Sequence, residues 1–186
     1  GGMGTFGTLA GLGGIWNAEA VPGSRSTLFA LAATAVLLAV VVIGLPAVLR
    51  RGAAVPLLVL AAAAIAGPAV MASGPGLELL RPAAEAMPGL GVLRDGQKWV
   101  AMAVPGYAVA AAGTVVTLRR FSPTVVGATA CAALLLVLPD LAWGVGGQVG
   151  SVRYPPGWNE VAAAINADPR PVAVLPADPM RQFDWA

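Results

Sequence analysis

Residues 93–99 read LRDGQKW and gather two cations, an anion and an amide within five positions. Elsewhere the chain hardly uses charge. If Arg94 to Lys98 is helical, the two cations stand four apart and share one face. Like charges on one face repel unless an anion sits between them. Arg offers a planar fork suited to phosphate, and Lys a mobile point charge. The chemistry this suggests is phosphate binding by Arg94 and Lys98. Ordinary lipid head groups fit the pair equally well, with Asp95 simply starting the helix.

Other ionisable residues are dispersed. Asp140 falls near the end of an apolar run, a turn before Trp143, within reach of Arg94, Lys98 or Arg153 as partner. An ionisable residue at such a depth is a functional candidate, although Pro139 makes a solvated helix end an equal reading. Glu19 is the only acid before the first long apolar run and hence the candidate catalytic carboxylate. Arg25 in the same segment reads as a cation snorkelling to head groups, with Ser24 or Ser26 as a helix cap. Asp178, Arg181 and Asp184 follow the last apolar segment, as loop charges or as site residues. With nine dispersed acids and no histidine, no metal site is expected. Neither a nucleotide nor any other cofactor is expected: the glycine-rich GTLAGLGG does not follow a strand. The single cysteine, Cys131, has no internal partner and reads as a small packing residue.

The elements that must carry these residues follow from composition. Hydrophobic residues make up 58% of the 186 positions and charged residues 11%, against about 25% charged in soluble domains. The polar outer faces of a soluble helical bundle cannot be built from this inventory. A net charge of +2, with no cationic run, gives no reason to expect nucleic acid. The expectation is an all-α transmembrane bundle of about four helices, near 27–49, 53–73, 99–118 and 123–143, each close to the ~20 apolar residues needed to cross a bilayer. Pro46, Pro56, Pro68 and Pro105 lie within them and are expected to kink them. Frequent Ala and Gly permit close helix approach.

Arg50-Arg51 and Arg119-Arg120 fall in the turns after the first and third spans. The positive-inside rule puts both turns in the cytoplasm. Segment 1–26, loop 74–98 and tail 144–186 are then extracytoplasmic, in a multi-pass plasma-membrane protein, and Trp16, Trp99 and Trp143 fall near the outer interface. In loop 74–98, Glu78, Arg81 and Glu85 share a helical face of a short surface helix, with Pro82 expected in its first turn. In the tail, Trp158, Val161, Ala162 and Ile165 mark an amphipathic helix. RPVAVLP, residues 170–176, reads as a short strand. Helix then strand suggests the start of a small extracytoplasmic α/β module. The first residues lack the basic region of a secretory signal. A piece of a longer polytopic protein is expected, in effect its C-terminal half.

The repeated Ala/Val/Leu-rich spans, GLGGIWNAEAVPGSR, LRDGQKW before a span and YPPGWNEVAAAINADPRPVAVLP after the last one resemble actinobacterial polytopic membrane proteins of the GT-C glycosyltransferase class. The resemblance implies transfer of a sugar from a polyprenyl-phosphate carrier to a cell-envelope glycan outside the membrane. It implies membrane lipids, the lipid-linked sugar and a glycan acceptor as partners. Arg94 and Lys98 would hold the carrier phosphate. The acidic pair expected of that class is missing, since no two acids are adjacent here. A transporter or flippase for a lipid-linked substrate, and a non-catalytic membrane scaffold, are the alternative readings; the spans carry no charge at mid-depth, which argues against ion-coupled transport.

Overall fold

A computed structural model describes residues 2–14, 21–142, 146–147, 150–151 and 153–173, apart from the side chains of Pro88, Gly91 and Arg94. Among the described residues all regular structure is helical. In chain order these helices are α1 (Gly4–Ala10), α2 (Phe29–Arg51), α3 (Val55–Met71), α4 (Gly74–Ala86), α5 (Val104–Thr117), α6 (Pro123–Leu136) and α7 (Gly157–Ala167). Short 3-10 turns occur at Gly23–Ser26 and Pro139–Leu141, and a long 3-10 segment, Pro88–Ala103, leads into α5. The chain divides into two units, Gly1–Ala142 and Trp143–Ala186.

Among the described residues two helices are long and apolar enough to cross a membrane: Phe29–Arg51 and Asp95–Thr117, each 23 residues. A third span is possible only if α3 and α4, bent by 86° at their junction, count as one. Four spans were expected, and the difference has local causes. Helix α3 has 17 residues, about 25 Å at 1.5 Å per residue, because Ser73 caps the next helix by accepting a hydrogen bond from the Gly76 amide at 3.2 Å. Helix α6 stops after 14 residues. The ring of Pro139 drives Leu138 out of the helical region, to φ −123° and ψ 47°.

The prolines divide by position. Pro56 and Pro105 sit in the first turns of α3 and α5, where a missing amide hydrogen costs nothing; no kink is needed there. Pro46 and Pro68 lie inside helices. Pro82 falls in the middle of α4, not in its first turn, which Pro75 occupies. The strand expected over 170–176 is not formed in its described part: residues 170–173 are irregular, and 174–176 lie outside the described residues. Pro169 and Pro171 flank Arg170 and remove amide donors from that stretch. The α/β module is therefore unsupported, and α7 stands as a helix without a described strand.

Small residues hold the first unit together. A Cβ on Gly44 of α2 would lie 1.7 Å from the Ala110 carbonyl oxygen of α5, and one on Gly113 would lie 2.5 Å from the Gly44 carbonyl oxygen. A Cβ on Gly106 would lie 2.5 Å from the Leu57 carbonyl oxygen of α3. Backbones meet here with no side chain between them, as in close-packed membrane helices. Buried Thr114 donates to the Val40 carbonyl at 2.7 Å, tying α5 to α2. Gly106 faces Leu57 and Ala61, whereas Gly96 faces Pro68, so α3 runs antiparallel to the span 95–117. Gly44 faces Ala110 and Val48 faces Gly113, so α2 runs parallel to it. Both arginine doublets, which end these two parallel segments, therefore lie at one end of the pair.

Candidate functional site

At the opposite end of the bundle lies a cavity of about 490 Å³, in the size range of small-molecule sites. Four elements enclose it. Thr5, Thr8 and Leu9 come from α1, Pro68 and Met71 from the end of α3, Leu77 and Leu80 from α4, and Leu93, Gly96 and Gln97 from the 3-10 segment.

Each wall has a local reason. Leu9 and Ala10 are buried with Ala61, Ala64, Ile65, Val100 and Ala103, which seats α1. The Tyr107 hydroxyl donates to the Ala10 carbonyl at 2.8 Å, fixing the end of α1 against α5. Thr5 and Thr8, three apart in a helix, line the same side. The crook between α3 and α4 is tight: a Cβ on Gly76 would fall 2.1 Å from the Val70 carbonyl oxygen. Helix α4 is amphipathic as expected. Leu77 and Leu80 line the cavity, while Glu78, Arg81 and Glu85 are exposed. Gly96 lets the 3-10 segment approach α3, its notional Cβ 3.3 Å from Pro68 Cβ. The lining side chains are apolar except for the hydroxyls of Thr5 and Thr8 and the Gln97 amide, and backbone at Gly4, Gly14 and Gly96 also lines it. Such a surface suits a hydrocarbon or a weakly polar ligand, not a bare ion.

The residues singled out by sequence are distributed as follows. Lys98 pairs with Asp95 at 2.7 Å, and the Lys98 side chain is 69% exposed. Lys98 therefore has a carboxylate partner, whereas the Arg94 side chain lies outside the described residues. The backbone here is a 3-10 helix broken at Asp95 (φ −93°, ψ 46°). In that geometry residues three apart eclipse, which brings Asp95 to Lys98; positions 94 and 98 lose the α-helical register that would have put them on one face. Lys98 is next in the chain to the cavity-lining Gln97.

Asp140 accepts a hydrogen bond from the Ser24 hydroxyl. Arg25 donates to the Val137 carbonyl at 3.2 Å, so the stretch before α2 is clamped to the end of α6. Arg153 is exposed. Glu19, Asp178, Arg181 and Asp184 lie outside the described residues, as do Trp16 and Trp143. Cys131 is exposed on α6, where it faces outward instead of packing. Among the described residues no three metal-ligating side chains cluster.

Sequence reasoning missed α1 and its two threonines, because a glycine-rich heptapeptide offers no helical signal. The spacing of Thr5 and Thr8 was the one available clue. Comparison with family models finds none that matches the chain, and comparison with curated proteins and with solved structures likewise finds no match.

Proposed function

We propose that this chain is the membrane-embedded part of a protein that binds a lipid-linked substrate in the elbow cavity, with the arginine doublets cytoplasmic and the cavity at the extracytoplasmic leaflet. The carrying observation is the placement of that cavity. It lies at the end of the bundle away from Arg50-Arg51 and Arg119-Arg120, is lined mostly by aliphatic groups, and has Gln97 and the Lys98–Asp95 pair beside it. The positive-inside rule supplies the sidedness. An apolar chain would occupy the space between α1, α3 and α4. A polar or anionic head would lie near Gln97 and Lys98.

Within that reading, the reaction we favour is transfer of a sugar from a polyprenyl-phosphate carrier to a cell-envelope glycan. Its support is the sequence resemblance together with an apolar cavity next to a cation-bearing segment. Arg94 and Lys98 would stabilise the leaving phosphate. A carboxylate would deprotonate the acceptor hydroxyl, and Glu19 is the candidate in this chain. The test is a transfer assay in membranes carrying the protein, using a radiolabelled polyprenyl-phosphate sugar. Lys98→Gln and Arg94→Gln should each lower the rate at least tenfold, with expression unchanged. Wild-type rates in both variants would remove the glycosyltransferase reading.

A further inference from the structure

Helix α7 carries its apolar residues on one stripe. Trp158, Val161, Ala162 and Ile165 follow the helical repeat, whereas Glu160 falls opposite with Ala163, Ala164 and Ala167, and Asn159 and Asn166 lie on one flank. The large members of the stripe are open to solvent: Trp158 is 45% exposed, Val161 50% and Ile165 37%. Just before the helix, Tyr154 is 68% exposed and meets Trp158 edge to face, with ring centroids 6.1 Å apart. Arginines flank the helix at both ends, Arg153 before it and Arg170 after it, both exposed, with Arg170 paired to Asp168 at 2.6 Å.

We infer that α7 is an interfacial helix that lays its Trp158–Val161–Ile165 stripe into the head-group region of a bilayer. Four observations select a lipid surface as the occupant. Tyr and Trp at the start of the stripe are the side chains that settle where apolar and polar media meet. The Arg153 guanidinium, just before the stripe, complements anionic head groups. The side away from the stripe carries Glu160 and small alanines, with Asn159 and Asn166 on its flank, which suits a helix lying flat, with one face in hydrocarbon and the other in water. Finally, the same chain bears helices of spanning length, Phe29–Arg51 and Asp95–Thr117, and a shorter apolar helix that ends at Leu136. The 15 residues between Leu141 and Gly157 can extend roughly 50 Å at about 3.3 Å each, so a bilayer surface is within reach. The inference rests on the membrane reading above but not on the glycosyltransferase reading.

The test uses the whole chain in proteoliposomes of phosphatidylcholine with phosphatidylglycerol, in a Cys131→Ser background. An NBD fluorophore is attached in turn at Val161→Cys on the stripe, Glu160→Cys on the polar side and Val42→Cys on the exposed face of α2. Doxyl-labelled lipids then report contact with the bilayer. The expected result is strong quenching at 42 and at 161, deeper in the bilayer at 42, and at least threefold less quenching at 160. Equal, weak quenching at 160 and 161 with strong quenching at 42 overturns the interfacial helix while leaving the membrane reading intact. A blue-shifted but unquenched label at 161 also overturns it, because protein then covers the stripe. No quenching at 42 defeats the membrane reading itself.

Discussion

Replacing Gly44 with alanine should separate α2 from α5, and the size of the effect follows from the geometry. The new Cβ would start 1.7 Å from the Ala110 carbonyl oxygen and 2.8 Å from the Thr114 nitrogen. Both are backbone atoms, so no side chain can rotate away. Relief requires the helices to part by more than an ångström. A gap of 0.5–1 Å already forfeits about a quarter to a half of each dispersion contact, and overpacking of this kind costs about 1–3 kcal/mol. The same movement would stretch the 2.7 Å bond from Thr114 to the Val40 carbonyl, adding about 0.6–1.7 kcal/mol for an interhelical bond in a membrane. The total is about 2–5 kcal/mol. Gly67→Ala in α3 is the matched control. A Cβ there meets nothing within 4 Å, and alanine favours the helix over glycine by about 0.5–1 kcal/mol. Unfolding in mixed micelles, followed by circular dichroism against SDS fraction, compares the two. Gly44→Ala should unfold at markedly lower SDS than wild type, and Gly67→Ala at equal or higher SDS. If both variants unfold together, the close glycine contact between α2 and α5 is refuted.

Gly76→Ala should open the crook between α3 and α4, since its Cβ would meet the Val70 carbonyl oxygen and the Met71 Cα. Spin labels on the two helices should then report a longer, broader distance distribution, and an unchanged one would refute the tight elbow. Ser24→Ala and Asp140→Ala each break the hydrogen bond joining the segment before α2 to the end of α6, at a cost of about 1 kcal/mol. The double variant should cost no more than either single one, and full additivity would mean that the two side chains act separately. Leu80→Trp should fill the cavity that Leu80 lines. Polyprenol and polyprenyl phosphate should then lose affinity alike in native mass spectrometry, and unaltered binding of both would place the lipid elsewhere. With Cys131→Ser, a cysteine at 120 should resist membrane-impermeant maleimide on intact cells while one at 78 reacts, and the reverse pattern would invert the proposed sidedness.

How much of this was legible beforehand depends on which forces act locally. The apolar run at 27–49 declares a spanning helix from composition alone, because twenty-odd aliphatic residues have no other low-energy arrangement in lipid. The amphipathic helices α4 and α7 were equally readable, since their periodicity is a property of adjacent residues. The fourth span was overestimated because hydropathy does not register Pro139, which ends the helix through the backbone of Leu138. The Asp95–Lys98 ion pair was not read from the sequence for a related reason. An α-helical repeat puts Lys98 with Arg94, whereas the 3-10 backbone eclipses positions three apart and brings Lys98 to Asp95.

Sequence by itself determined that this protein is built of apolar helices, where the longest of them lie, and which short helices have two faces. Tertiary structure alone decided that Gly44, Gly106 and Gly113 are contact points and not merely small residues, that Ser24 meets Asp140 across the chain, and that Thr8, Met71, Leu80 and Gln97 enclose one cavity. The division is physical. Hydrophobicity and helical periodicity are sums over neighbouring residues, so they can be read along the chain. A cavity or a backbone contact exists only where segments distant in sequence converge, and the direction and tilt at which helices pack are set by every contact between them together.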